Sequence, residues 1–301
     1  MKILSYAVVS PAKDEAERIG KTIDSMIRQT QHPVRWVIVD DGSSDKTYEL
    51  AKAYETSHPW ITVIRIERDA ARRIGSAEIR AFEAGFQLIA HENFDLIVKL
   101  DCDLILPPDY FERLAAYFDA DPSLGIASGV YLEQRGTDWT EINMPTYHAS
   151  GASKMVRRHC LSDIGGFPLA PGWDTADEIK AQAKGWNTKH FTDLKFYHLR
   201  REGSAIGNWK TGILHGRVYY VTDGGLLFLV LKSIHRVFFG KPFLLGGLAL
   251  LWGYFKAFLS EEPRLITTLE AKFYRRQLNR RVLAAVREKL NFNKTFQQQQ
   301  G

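Results

Sequence analysis

Along the first part of the chain the apolar positions come in short blocks separated by amphipathic stretches, and the period switches from block to block. Apolar runs at residues 4–9, 34–39, 61–66 and 94–100 predict strands. Residues 12–18 open a helix whose Asp14, Glu15 and Glu17 suit its N-terminal dipole, and Ile19, Ile23, Met26 and Ile27 supply its apolar stripe. Residues 46–57 and about 76–90 predict two further helices. Strand–helix alternation with short connections predicts an α/β domain: a mostly parallel sheet with helices on both faces. Ligands of such sheets sit beyond the carboxyl ends of the strands. Three acidic clusters fall there, at Asp14, at Asp40 with Asp41, and at Asp101 with Asp103.

Beyond this the pattern is less regular. It predicts a helix at 110–118, a strand at 125–132, a loop at 137–146 and a return to the sheet at 150–156. A short helix begins at Arg157 and ends at Gly165-Gly166-Phe167, a helix spans 179–184, and a strand spans 188–196. From Gly224 the character shifts. Two apolar runs, 226–231 and 242–255, are broken by Lys232, His235, Arg236 and Lys241. Each is shorter than the roughly 18 to 20 apolar residues of a membrane span, so they predict helices lying in a membrane interface, with two buried core helices as the alternative. A last helix near 265–290 carries Arg275-Arg276 and Arg280-Arg281, either solvated or drawn to anionic headgroups. Residues 295–301 predict a polar tail without structure. The expected organisation is therefore a domain at 1–215, a helical, membrane-associating segment at 216–294 and the tail.

Composition changes this picture little. A chain of 301 residues with 45% hydrophobic and 25% charged residues has material for a real core, and a net charge of +5 is too mild to point to nucleic acid. Two cysteines, Cys102 and Cys160, give no disulfide framework and suit a reducing compartment. No signal-type segment opens the chain, so a cytoplasmic location, peripheral at the inner face of the membrane, is expected. Neither a phosphate-cradling glycine loop nor a zinc spacing is present. The chemistry concentrates at Asp101-Cys102-Asp103. Two acids at a strand end can converge on one hard cation and leave its other positions to phosphate oxygens; without a cation they repel.

The order of motifs resembles the family 2 inverting glycosyltransferases, which have the GT-A fold. The resemblance is carried by Ser10-Pro11-Ala12-Lys13-Asp14-Glu15, Val39-Asp40-Asp41-Gly42-Ser43-Ser44-Asp45, Asp101-Cys102-Asp103, and Gly165-Gly166-Phe167 followed by an acidic helix start. It covers roughly residues 3 to 204. It implies transfer of a sugar from a nucleotide-diphosphate donor, UDP-sugar favoured with GDP-sugar as the alternative, to a sugar or lipid-linked acceptor in polysaccharide or glycolipid assembly. The cofactor implied is Mn²⁺ or Mg²⁺, and no nucleic acid is involved. By motif, Pro11, Ala12 and Asp14 line the nucleotide pocket and Asp40 and Asp41 contact base and ribose. Asp101, flanked by Cys102, sits near ribose or diphosphate, and Asp103 holds the metal with Asp101. The resemblance places His198 over the diphosphate or on the metal, with Arg200, Arg201 and Ser204 following it. The resemblance sets Arg72, Arg73 and Arg80 where family members carry polar residues facing the nucleotide or its phosphates. Trp173 is a candidate surface for the acceptor sugar. For the general base the family uses an acid after the Gly-Gly-Phe loop, where this chain offers Asp174, Asp177 and Glu178. Asp177, in the adjacent pair, is the first choice and Asp174 follows it. The alternatives are a catalytically silent nucleotide-sugar-binding subunit and a sugar nucleotidyltransferase, although the latter would carry a glycine-rich, lysine-bearing loop after the first strand.

Overall fold

The computed structural model describes residues 4–67, 77–200, 207–239 and 245–298. Its first compact unit, Met1–Glu202, opens with β1 (Tyr6–Ala12), α1 (Ile19–Ile27), β2 (Arg35–Asp40), α2 (Thr47–Lys52), β3 (Ile61–Arg65), α3 (Ala77–Ile89) and β4 (Leu96–Leu100). There follow β5 (Leu104–Ile105), α4 (Tyr110–Ala120), β6 (Leu124–Arg135), β7 (Asp138–Glu141), β8 (Ser153–Arg157), α5 (Arg158–Ile164), α6 (Trp173–Ala183) and β9 (Asn187–His198). The strands form one mixed sheet in the order β3-β2-β1-β4-β8-β6-β9-β5, with β7 hairpinned onto β6. The block β3-β2-β1-β4 is parallel, as the alternation predicted; β8 then joins β4 antiparallel.

The two-residue period of a strand sorts the core into two layers. Tyr6 and Val8 of β1, Trp36 and Ile38 of β2, and Leu96, Val98 and Leu100 of β4 enter one apolar cluster with α1 and α4. Ala7, Val9, Val37, Val39 and Ile97 point the other way, against α3, α5 and α6. Gly85 lets α3 approach the sheet: a Cβ there would lie 2.7 Å from side-chain carbons of both Val9 and Val39.

Several sequence expectations shift. Residues 13–18 do not open α1, which begins at Ile19; β1 runs on to Ala12, and side chains of the β2 loop and α2 accept from the N–H groups of Asp14, Glu15 and Ala16. The expected loop at 137–146 contains β7, whose mostly exposed side chains hide it from any burial pattern. The helix expected from 179 begins six residues earlier, at Trp173, because Gly172 adopts φ 87° and turns the chain into α6.

The second compact unit is Gly203–Gly301, so the division falls at 202/203 rather than at 215. The reason is that α7 (Gly207–Val221) is one continuous helix. It packs on α9 (Leu245–Leu259), which follows α8 (Leu226–Phe239). Glycines permit backbone contact in this pair: a Cβ on Gly216 would lie 2.0 Å from Leu250 O, and one on Gly253 2.0 Å from Ile213 O. The final helix, α10 (Thr268–Gln298), runs on into the expected tail, so that segment is helical to Gln298. Among the described residues no helix is long and apolar enough to cross a membrane.

Candidate active site

Two acidic groups gather around the end of β4. The first is local in origin. β4 stops at Leu100, Asp101 and Asp103 follow, and β5 pairs with β9 so that Leu104 faces His198. That register brings an imidazole from the end of the unit beside the acids. Asp101, Asp103 and His198 each offer a ligand atom within 4.8 Å of the others. His198 Nε2 lies 3.3 Å from Asp103 Oδ1, and Arg200 Nε lies 3.7 Å from Asp103 Oδ2. His198 Nδ1 is buried without a hydrogen-bond partner, and Asp103 Oδ1 has only the long approach of His198 Nε2, which is costly unless something outside the chain supplies more. Two carboxylates and an imidazole, closely spaced and incompletely satisfied, fit a divalent cation.

Electrostatics around the cluster are strong. Burial pushes the Asp101 carboxyl up to about 6 against the pull of Lys99. Burial also acts to raise Asp103, but the His198 bond and charge, with Arg200 and Lys99, hold it below the usual range. Glu15, which accepts a hydrogen bond from Arg200 Nη2 at 2.5 Å, is pushed up to about 7 by burial and by Asp103. His198 is raised, because its bond and charge interactions with Asp103 outweigh burial.

The second group sits at α6, and a register explains it too. Antiparallel β4–β8 pairing sets Lys99 directly opposite Lys154, and both point to the α6 face of the sheet, alongside Ile97 and Val156 respectively. Two buried ammonium groups opposite one another demand counterions. Lys99 finds Asp101 and Glu78, at 2.5 and 3.4 Å. Lys154 donates to Asp177 Oδ2 at 2.9 Å, Asp177 Oδ1 at 3.1 Å, Glu178 Oε1 at 3.3 Å and the Asp174 carbonyl at 2.8 Å. Glu178 also accepts from the Ala149 N–H at 2.7 Å and lies 3.0 Å from His148 Nδ1. Both ammonium groups lie over the Trp173 ring, Lys99 at 5.3 Å and Lys154 at 5.1 Å from its centroid, and its Nε1–H donates to Glu78.

This network sorts the three acids that the sequence left open. Asp177 and Glu178 are buried and engaged by Lys154, whereas Asp174, in the first turn of α6, is partly exposed. Burial pushes the Asp177 carboxyl up to about 7, while Glu178 is held low, His148 and Lys154 overcoming burial. His148 is in turn raised, the Glu178 charge and bond outweighing burial. Asp177 and His148 therefore both hold their protons more tightly folded than unfolded, and the stability they contribute at low pH is lost as pH rises through their folded values. The melting temperature of the metal-free protein is expected to fall between about pH 5 and about pH 8, and the slope to flatten in Asp177→Asn, as scanning fluorimetry would show. A curve that rises over this interval would contradict the assigned shifts.

The remaining sequence candidates lie around these groups. Pro11 and Ala12 end β1 in register with Val39 and Asp40. Asp14, at φ 53° and exposed, accepts hydrogen bonds from the Ser44 N–H at 2.7 Å and hydroxyl at 3.0 Å, latching the β1 loop to the β2 loop. Asp40 is buried and takes the Arg65 Nε–H at 2.7 Å, and the Asp41 N–H donates to the Ala12 carbonyl at 2.9 Å. Cys102 is buried in the core, where burial pushes its thiol well up. Trp173 is 4% exposed and its ring is occupied by the two lysines, so burial withdraws it from the surface on which an acceptor sugar would stack. Arg80 is exposed on α3, and Arg72, Arg73, Arg201 and Ser204 lie outside the described residues. Sequence reasoning missed the roles of Glu15, Glu78, Lys99, His148 and Lys154. The available signal was a lysine inside an otherwise apolar strand, at Lys99.

The Glycosyl transferase family 2 model matches residues 7–167, more than half of the chain. The chain belongs to that family. Among curated relatives, an undecaprenyl-phosphate 4-deoxy-4-formamido-L-arabinose transferase of Photorhabdus laumondii is 32% identical over 117 residues, 38% of this chain and 33% of the relative. A dolichol-phosphate mannosyltransferase of Pyrococcus furiosus is 27% identical over 139 residues, 45% of this chain and 36% of the relative. Each match spans about a third of the relative's length. Among solved structures, the mannosyltransferase PcManGT from Pyrobaculum calidifontis, in complex with GDP-Man and Mn²⁺, superposes with TM-score 0.55 at 19% identity, covering 86% of this chain and 74% of that one. TarS 1-349 of S. aureus in complex with UDP-GlcNAc gives TM-score 0.56 at 17% identity, covering 78% and 73%. At such identities the likeness establishes the fold, and this family 2 chain has the GT-A architecture that its motifs implied.

Proposed function

We propose that this family 2 chain transfers a sugar from a nucleotide-diphosphate donor to an acceptor hydroxyl, with inversion at the anomeric carbon. The observation that carries this is the Asp101, Asp103 and His198 cluster at the carboxyl end of β4, within a domain of this family. Those three residues would hold a divalent cation, which supplies charge neutralisation for the departing nucleotide diphosphate. The imidazole nitrogen favours Mn²⁺ over Mg²⁺, which prefers oxygen donors. Lys99 and Arg200 add positive charge beside the same carboxylates, and Arg200 also holds Glu15.

Asp174 is the base in this proposal. Inverting displacement needs a group that takes the acceptor hydroxyl proton opposite the leaving group. Among the three acids Asp174 alone reaches solvent, and the buried Asp177 and Glu178 fix the helix that carries it. The named activities of the relatives, on undecaprenyl phosphate and dolichol phosphate, support a lipid-linked acceptor, and the structural neighbours with UDP-GlcNAc and GDP-Man support either nucleotide.

A thermal-shift panel of UDP- and GDP-sugars with Mn²⁺, Mg²⁺ or EDTA identifies the donor, because a ligand bound only by the folded state raises its melting point. Donor turnover with the stabilising sugar is expected to need the divalent ion and to fall by at least about a hundredfold in Asp103→Ala. Turnover indifferent to EDTA and to Asp103→Ala would refute the proposal; tight donor binding without turnover would favour the silent-subunit alternative.

A further inference from the structure

The second unit is turned inside out relative to an ordinary helical domain. Among the described residues 22 large apolar side chains are exposed, and 16 of them lie in 207–298. On α9 they fall at Leu245, Leu248, Trp252, Phe255 and Leu259, spacings that define one face of a helix. The opposite face of α9 is already committed, with Ala249, Leu250 and Ala257 buried and Gly253 against the α7 backbone. On α8, Leu227, Ile234 and Phe238 repeat the arrangement, while Leu229 and Ser233 are buried. Trp209 of α7 joins Trp252 in lining an apolar cavity on this surface. Stripes of this size on neighbouring helices exceed what a water-exposed surface normally carries, and they mark a docking face.

Charge decides what docks. Residues 203–301 hold 15 Lys and Arg against 5 Asp and Glu, a net +10, whereas the whole chain carries only +5, so residues 1–202 are net −5. Lys256 is exposed on α9 beside its apolar stripe, and Arg276, Arg280 and Arg281 are exposed on α10, whereas Lys232 and Arg236 of α8 are partly buried against Tyr219 and His215. A second copy of the unit would bring +10 against +10. An anionic bilayer surface offers hydrocarbon to the stripes and negative headgroups to the basic residues. Helices of this length are too short to cross it, and the tryptophans suit the headgroup boundary.

We infer that the exposed apolar faces of α8 and α9 dock the chain, in the plane of the interface, on a bilayer containing anionic lipid. The apolar stripes belong to the second unit and the acidic clusters to the first, so the test does not depend on the proposed transfer reaction. Full-length protein would be sedimented with vesicles of phosphatidylcholine alone and with added phosphatidylglycerol, and Trp emission followed in parallel. It is expected to pellet with the anionic vesicles, with a blue-shifted emission, and to be released in part by about 0.5 M salt. Trp252→Glu with Phe255→Glu, both at exposed positions, is expected to lower partitioning by roughly tenfold or more with an unchanged melt. Divalent-dependent nucleotide binding, measured on the same variant, should be unaffected; loss of that binding in the wild type would count against the transferase proposal alone. Wild-type protein that stays in the supernatant with anionic vesicles, or that forms a dimer and ignores them, would overturn the docking surface. So would a variant that binds vesicles as tightly as the wild type.

Discussion

Asp174→Asn is expected to lower kcat by about 10²- to 10⁴-fold, the usual contribution of a positioned general base, and to leave donor binding and melting temperature unchanged. The expectation comes from exposure rather than from sequence order. Asp177 is the member of the adjacent acid pair that the motif favours, yet it is fully buried and both of its oxygens accept from Lys154. That carboxylate faces the Lys154 ammonium rather than solvent. Asp174 is three residues earlier on α6; its carbonyl takes the Lys154 ammonium while its side chain reaches solvent. Asp177→Asn should give the reverse result: a lowered melting temperature, with turnover retained at temperatures where the protein stays folded. Steady-state kinetics and melts on the two variants distinguish the roles. A fully active Asp174→Asn, or an inactive Asp177→Asn with a native melt, would return the base to Asp177.

Lys154→Met should cost about 3–5 kcal/mol of stability, a large share of the 5–15 kcal/mol that typically separates folded from unfolded protein. The reason is asymmetry. Lys154 and Asp177 are both fully buried, and Glu178 nearly so, and removing the ammonium leaves Asp177 with the Glu178 N–H alone and Glu178 with His148 and the Ala149 N–H. Removing charge from both sides, in Lys154→Met with Asp177→Leu, should recover much of the loss, because an apolar pair needs no counterion. Urea unfolding of the single and double variants measures this difference. A single variant within about 1 kcal/mol of wild type would show that the network holds no buried charge.

Local chemistry made much of the domain legible. The apolar blocks of β1 to β4 must be buried strands, and acids placed at their carboxyl ends fall where a parallel sheet gathers ligands, so Asp101 and Asp103 could be located before any coordinates. β7 and the start of α6 were not legible. β7 is mostly exposed and shows no burial pattern, and α6 begins where the positive φ of Gly172 lets the chain turn, a conformation that a periodicity search does not register. The apolar runs after Gly224 were visible as such, but whether they face inward or outward was not.

The sequence alone determined which strands form, which acids stand at their ends and which family the motifs belong to, because each depends on residues close together in the chain. Tertiary structure decided the rest. The β4–β8 register sets Lys99 against Lys154 and thereby buries Asp177 while leaving Asp174 accessible; the β5–β9 register carries His198 to Asp103; and the α7–α9 crossing turns Leu245, Leu248, Trp252 and Phe255 of α9 outward. Each of these pairs segments far apart in sequence, and the side-chain pattern of one segment does not encode the partner that it will meet.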